Sequence, residues 1–135
     1  MKRVFADTYF LLAVVNVKER DHEAALRYFA AEDLEFITTA WVISEVAASL
    51  APAARRAGFV RLYAELRDDP NFTILPASQQ RFLQGLELYG KRPDKDWSLT
   101  DCISFVTMEQ EGLSEALTGD HHFEQAGFRA LFQFD

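Results

Sequence analysis

The chain has 135 residues, 49% hydrophobic and 13% aromatic, with 21 acidic against 14 basic side chains for a net charge of −7. That size and apolar content suit one domain over residues 1–135 with a real core, and the acidic balance excludes a broadly basic surface that grips nucleic acid without selectivity. Cys102, the only cysteine, excludes an intrachain disulfide; the segment after Met1 lacks the features of a signal peptide, and Glu45 and Pro52 keep the stretch from Phe36 to Ala54 from being a membrane span, which together predict a soluble, cytoplasmic protein.

Short apolar runs alternate with helical patterns along the chain. RVFA reads as a strand and TYFLLAVV as a helix; DHEAALRYFAAED is helical, EFITTA a strand, and WVISEVAASL a helix followed by a longer Arg-rich helical segment. NFTILP is the third strand, followed by helices over QQRFLQGLELYG and SLTDCISFVTMEQEG, a strand in EALTGD, a short helix in HHFEQAG and a closing strand in ALFQF. Turns are expected at Arg92-Pro93-Asp94 and at Gly127. This βα alternation predicts an α/β fold: a three-layer α/β/α sandwich around a mostly parallel sheet of four or five strands, with no internal repeat.

The acids fall in telling places. Asp7 closes the first strand and opens a helix, at the edge where open α/β sheets hold ligands; an N-cap role is equally open to it. Glu45 is the only ionisable side chain between Glu35 and Arg55 and sits mid-helix, where capping is unavailable. The alternative for Glu45 is a solvated helix face opposite the Ile43, Val46, Ala47 and Leu50 stripe. Asp101 fits a capping box begun by Ser98, yet it lies among Trp97, Leu99, Cys102, Ile103 and Phe105, where a charge needs a strong partner. Asp120 repeats the strand-to-helix placement of Asp7. In one pocket, two carboxylates ~5 Å apart repel by ~3 kcal/mol at an effective dielectric of about 20. A divalent cation relieves such repulsion, and all-oxygen ligands favour Mg²⁺ or Mn²⁺ over Zn²⁺. The usual chemistry of such a site is phosphoryl hydrolysis by metal-activated water.

FADTYF, ISEV, DWSLTDCISF and TGDHHFEQAGF, in this order across nearly the whole chain, resemble the PIN-domain ribonucleases, with the nearest likeness to VapC-like toxins of type II toxin–antitoxin pairs. The resemblance implies a metal-dependent endoribonuclease with Asp7, Glu45, Asp101 and Asp120 at its four acidic positions, none of which departs from the pattern. It further implies supporting hydroxyls at Thr8 and Thr118, a recurrent loop acid at Asp96, an RNA substrate, a cognate antitoxin and a homodimer.

Other features carry weaker expectations. Lys91, Arg92 and Lys95 lead into the acidic cluster and are placed to meet RNA phosphates, or else to pair with neighbouring acids on a solvated face. His121 and His122 point about 100° apart on a helix, which argues against one shared metal; a hydrogen bond to Asp120 or a phosphate competes with a solvated or packed helix start. Cys102 reads as a small core residue. Phe10, Leu11, Val14, Val15, Leu26, Tyr28 and Phe29 pack in the core or extend to a dimer or antitoxin groove. Two other classes compete. A non-catalytic RNA- or protein-binding module on the same fold would be favoured by loss of an acid, and none is lost. A phosphoacceptor receiver domain needs an Asp after its middle strand, and NFTILPAS has none.

Overall fold

The structure, a computed structural model, describes residues 1–132. In chain order the elements are β1 (Lys2–Ala6), α1 (Thr8–Val15), α2 (His22–Phe29), β2 (Leu34–Thr39), α3 (Ala40–Ser49), α4 (Ala53–Asp68), β3 (Phe72–Leu75), α5 (Gln79–Lys91), α6 (Leu99–Glu111), β4 (Glu115–Leu117), α7 (His122–Gln125) and β5 (Arg129–Ala130). The expected alternation is therefore present throughout. The closing strand is short, and Gln133 and Phe134 of the expected ALFQF strand lie outside the described residues.

The five strands form a wholly parallel sheet in the order β3-β2-β1-β4-β5. Three successive strands step one way from β1, and the chain then crosses back to lay β4 and β5 on its other side. Right-handed crossovers put α1 to α4 on one face and α5 to α7 on the other, giving three layers. The reversal leaves a crevice at the carboxyl ends of β1 and β4, the topological switch point.

Strand register divides the core. Val4, Phe36 and Phe72 are partners across β1, β2 and β3, while Phe5 pairs with Ile37 and Ala116 and points to the opposite face. On the first face Phe36 stacks with Phe10 of α1 and with Phe72, at centroid distances of 6.0 and 5.3 Å. On the second, Phe123 of α7 meets Phe5, and Phe105 of α6 stands edge-on to both Phe123 and Trp97 at 4.9 and 5.0 Å. Such edge-on pairs contribute beyond the area they bury.

Helix α6 is fixed at both ends. Ser98 and Asp101 form a complete capping box, and Gly112 ends the helix in the left-handed region at φ 69°. Along its length it packs tightly on α5: a Cβ at Gly85 would lie 2.3 Å from Ile103 Cγ1, so only glycine permits this approach. Among the apolar residues expected on the first two helices, Phe10, Leu11 and Val14 are buried against the sheet, and Leu26 is the exposed one. The exposed apolar face lies instead on α5, at Phe82, Leu83, Leu86 and Tyr89. Among the described residues, no helix is long and apolar enough to cross a membrane.

Candidate active site

All four acids stand at or beside the switch-point crevice, joined by a run of hydrogen bonds. Asp7 directly follows β1 and is 6% exposed. As the residue before α1 it makes no side-chain cap; its Oδ2 instead accepts from Thr118 Oγ1 at 2.8 Å. Thr118 directly follows β4, and the same hydroxyl accepts from the Asp120 backbone N–H at 3.0 Å. The two strand-end acids are thus tied through one buried threonine. Gly119 between them leaves room for Tyr9, since a Cβ there would come within 2.5 Å of the Tyr9 ring.

Glu45 is half-buried on α3, and its Oε1 accepts from Thr8 Oγ1 at 2.7 Å. The Thr8 contact places Glu45 beside Asp7, on a helix face that is only partly exposed. Thr38 and Thr39 hold the preceding turn: Thr38 Oγ1 donates to the Ala6 carbonyl at 2.7 Å, and Thr39 caps α3 by accepting from Val42 N–H.

Asp101 does both of the things its sequence context offered. Its Oδ2 accepts from the Ser98 backbone N–H at 3.0 Å, completing the capping box, and lies 3.1 Å from His122 Nδ1. The same imidazole nitrogen is 3.3 Å from Asp120 Oδ1, which also accepts from the His122 backbone N–H at 2.9 Å. His122 thus bridges two of the acids, a role the sequence offered only as one alternative. The angular argument against paired histidines also gives way, because His121 precedes a helix of only four residues. Asp120, His121 and His122 bring ligand atoms within 4.8 Å of one another.

Electrostatics follow from this packing. Burial pushes the Asp7 carboxyl up from 3.8 to about 7; the Thr118 hydroxyl and Thr8 N–H oppose the rise, and the charges of Asp101 and Glu45 add to it. Burial also raises Asp101, with Ser98 N–H opposing and Asp120 adding. The ion-pair neighbours of the four acids among the described residues are histidines, with no Lys or Arg. Hard oxygen donors around a buried, undercompensated carboxylate fit a hard divalent cation, with imidazole nitrogen available at the rim.

The remaining predicted residues lie apart from this run of bonds. Asp96 is exposed in the loop before α6. Lys91 pairs with Glu87 at 2.7 Å, Arg92 makes a two-pronged bond to Asp94 at 3.0 and 3.1 Å, and Lys95 lies 4.0 Å from Asp94. Each basic group therefore already has an acidic neighbour. Cys102 is buried in α6 and its thiol is pushed up to about 11 by burial, which leaves no thiolate nucleophile near neutral pH.

Three solved structures share this architecture. VapC20 of Mycobacterium tuberculosis, described as a sarcin-ricin loop cleaving toxin, superposes with a TM-score of 0.83 at 24% identity, over 93% of this chain and 95% of that one. A chain of VapBC2 from Rickettsia felis, solved bound to a DNA fragment from its promoter, gives 0.70 at 12% identity, covering 98% and 99%. FitAcB of Neisseria gonorrhoeae gives 0.61 at 20% identity, covering 98% and 96%. At these identities the likeness is one of fold. Comparison with curated protein sequences returned no match. The PIN domain profile, however, matches residues 4–129, from β1 through the first residue of β5 and across all four acids, and the chain belongs to the PIN domain family.

Proposed function

We propose that the protein is an endoribonuclease that depends on Mg²⁺ or Mn²⁺ and acts as the toxin of a type II toxin–antitoxin pair. The observation that carries this reading is the convergence of Asp7, Glu45, Asp101 and Asp120 on the switch-point crevice of a PIN domain, with no Lys or Arg in ion-pair reach of them among the described residues. The likeness to VapC20, VapBC2 and FitAcB supports RNA as substrate and a cognate antitoxin as partner; a homodimer is part of the same reading.

Asp7, Glu45, Asp101 and Asp120 would hold the metal. When bound, the cation supplies an acidified water and offsets charge on the reacting phosphate. The chain's own residues fix the carboxylates that face it. Thr118 and the Thr8 N–H orient Asp7, Thr8 Oγ1 orients Glu45, and His122 with the Ser98 N–H orients Asp101. Such partners usually govern metal affinity by ~10–100-fold each. The one thiol, Cys102, is buried and protonated and takes no part as a nucleophile; on this reading the attack falls to water.

The test is cleavage of RNA by purified protein stripped with EDTA and then resupplied with metal. Cleavage should be absent without metal and return with Mg²⁺ or Mn²⁺. Full activity after exhaustive stripping, or none at saturating metal, would overturn the reading. The toxin assignment predicts growth arrest on expression, relieved by co-expression of a small neighbouring reading frame.

A further inference from the structure

Resting on the nuclease reading, we propose that the loop joining α5 to α6 is a nucleobase subsite, in which a base of single-stranded RNA stacks on the outer face of the Arg92 guanidinium. The loop walls a cleft of about 450 Å³ lined by Tyr89, Arg92, Lys95, Asp96 and Trp97 among others. Cys102, which follows Asp101 directly, also lines it, so the cleft abuts the first turn of the site helix.

Arg92 is constrained in an unusual way for a phosphate ligand. Its Nε and Nη2 donate to the two carboxylate oxygens of Asp94 at 3.0 and 3.1 Å, so one of its two forked edges is engaged and its charge is partly offset. One face of the guanidinium lies over the Trp97 indole, with Cζ 4.9 Å from the ring centroid. Trp97 is itself fixed: it is buried, edge-on to Phe105, and its Nε1 donates to Gln125 Oε1 at 3.0 Å. The result is a planar cation held along one edge by Asp94 and seated over the Trp97 ring. The side chain keeps 39% of its surface exposed.

A flat group pinned in this manner meets a base better than it meets a phosphate. Unstacked RNA bases commonly settle on guanidinium planes and aromatic rings, and no particular base is required. Tyr89, half-exposed on the same cleft, offers a second flat surface. Lys95, 4.0 Å from Asp94 and without a closer partner among the ion pairs, is the group left to meet the adjoining phosphate. The subsite would thus bind one nucleotide beside the acids and set which backbone bond enters the crevice.

The experiment compares binding of a dye-labelled five-nucleotide single strand with its abasic counterpart, in EDTA so that nothing is cut. Wild-type protein should hold the base-bearing strand about 5- to 100-fold tighter, the range of one stacking contact. Arg92→Lys keeps the charge and removes the plane; it should erase that preference while leaving the salt dependence alone. Lys95→Gln should do the reverse, lowering the salt dependence and keeping the preference. An Arg92→Lys protein with wild-type base preference, or a wild type indifferent to bases, overturns the subsite. If Arg92→Lys melts lower than wild type, Tyr89→Ala decides, and an unchanged preference there overturns the proposal. RNA cleavage in Mg²⁺ separates the two readings: an unaltered cut pattern in Arg92→Lys sinks the subsite alone, whereas a wild type that neither binds nor cuts RNA sinks both.

Discussion

Asp7 and Glu45 are held by the hydroxyls of Thr118 and Thr8, whereas Asp101 and Asp120 share the His122 imidazole and each accept a backbone N–H. A hydroxyl donor fixes where a carboxylate points but brings no charge to oppose it. An imidazole can carry a proton between two acids. On the proposed function, the inner pair is the half that a bound cation would relieve most, while the outer pair already shares an imidazole partner. The division follows the fold: Asp7 follows a buried central strand and is itself buried, while Asp120 and His122, at the start of α7, are partly exposed.

The largest expected effect of breaking the inner half is at Asp7. Asp7→Asn should lower metal-dependent cleavage by more than the ~10–100-fold typical of an outer partner. The same change should stabilise the metal-free protein. The native carboxyl is raised from 3.8 to about 7, so between those values the folded state holds more protons than the unfolded one, and stability declines as pH rises through that window. Wild type and Asp7→Asn should accordingly melt together near pH 4 and diverge above it, the variant gaining up to ~4 kcal/mol by pH 8. Parallel melting curves across the window would remove Asp7 from its low-dielectric, like-charged setting.

Thr118→Val tests the hydroxyl that joins the two halves. It removes a donor from Asp7 and an acceptor from the Asp120 N–H in one buried step, which costs ~1–3 kcal/mol and pushes the Asp7 carboxyl higher still. Metal affinity, read by titrating Mn²⁺ against the melting temperature, should weaken ~10–100-fold. Thr8→Val should show the affinity loss with a smaller stability change, because Glu45 is only half-buried. Equal stability losses in the two variants would erase the distinction between a buried bridge and a rim contact.

How much of this was legible in the sequence varies with the range of the interaction. Asp7 and Asp120 announce themselves because each interrupts an apolar strand end, and Glu45 because it stands alone over one helix; these are local signals. The roles of Thr8 and Thr118 came with the family resemblance, and the hydrogen bond between Thr118 and Asp7 spans 111 positions. His122 was underrated because the phase of a four-residue helix cannot be read from periodicity. For the basic run at Lys91 to Lys95 the sequence leaves a phosphate grip and pairing with neighbouring acids both open; Asp94 bonds Arg92 and the Arg92 guanidinium lies by Trp97, a neighbour the alternatives do not name. The three-layer fold was legible because parallel strands and amphipathic helices have distinct periods, while the position of the exposed apolar face on α5 depended on which helix the sheet leaves uncovered.

On the outer half, His122→Ala should have a smaller effect than either threonine change at the inner pair. It withdraws a partner that holds the Asp101 carboxyl down, so Asp101 should move further up and cleavage at limiting metal should drop by about tenfold, recovering at saturating metal. A loss that saturating Mn²⁺ does not restore would assign His122 a part in the reaction rather than in orienting Asp101.

The smallest expected effect on metal-free stability belongs to Asp101, where two contributions oppose. Asp101→Asn loses a charge near a helix N-terminus, worth ~0.3–1 kcal/mol, yet the amide oxygen can still accept the Ser98 N–H. Against this, the carboxyl is raised in the folded state by burial and by Asp120, so its ionisation opposes folding and removing the charge is a gain at neutral pH. Because the cap partly survives and the repulsion does not, the metal-free variant should melt slightly higher than wild type. As at Asp7, a raised carboxyl favours the folded state at low pH and loses that advantage as pH rises, so the difference should grow as pH rises above the ordinary carboxylate range. Sodium chloride should shrink it little, since the group is largely shielded from solvent. A lower melting point for Asp101→Asn in EDTA at pH 8, with cleavage intact in Mg²⁺, would make the capping box the residue's main role and leave His122 to Asp120 alone.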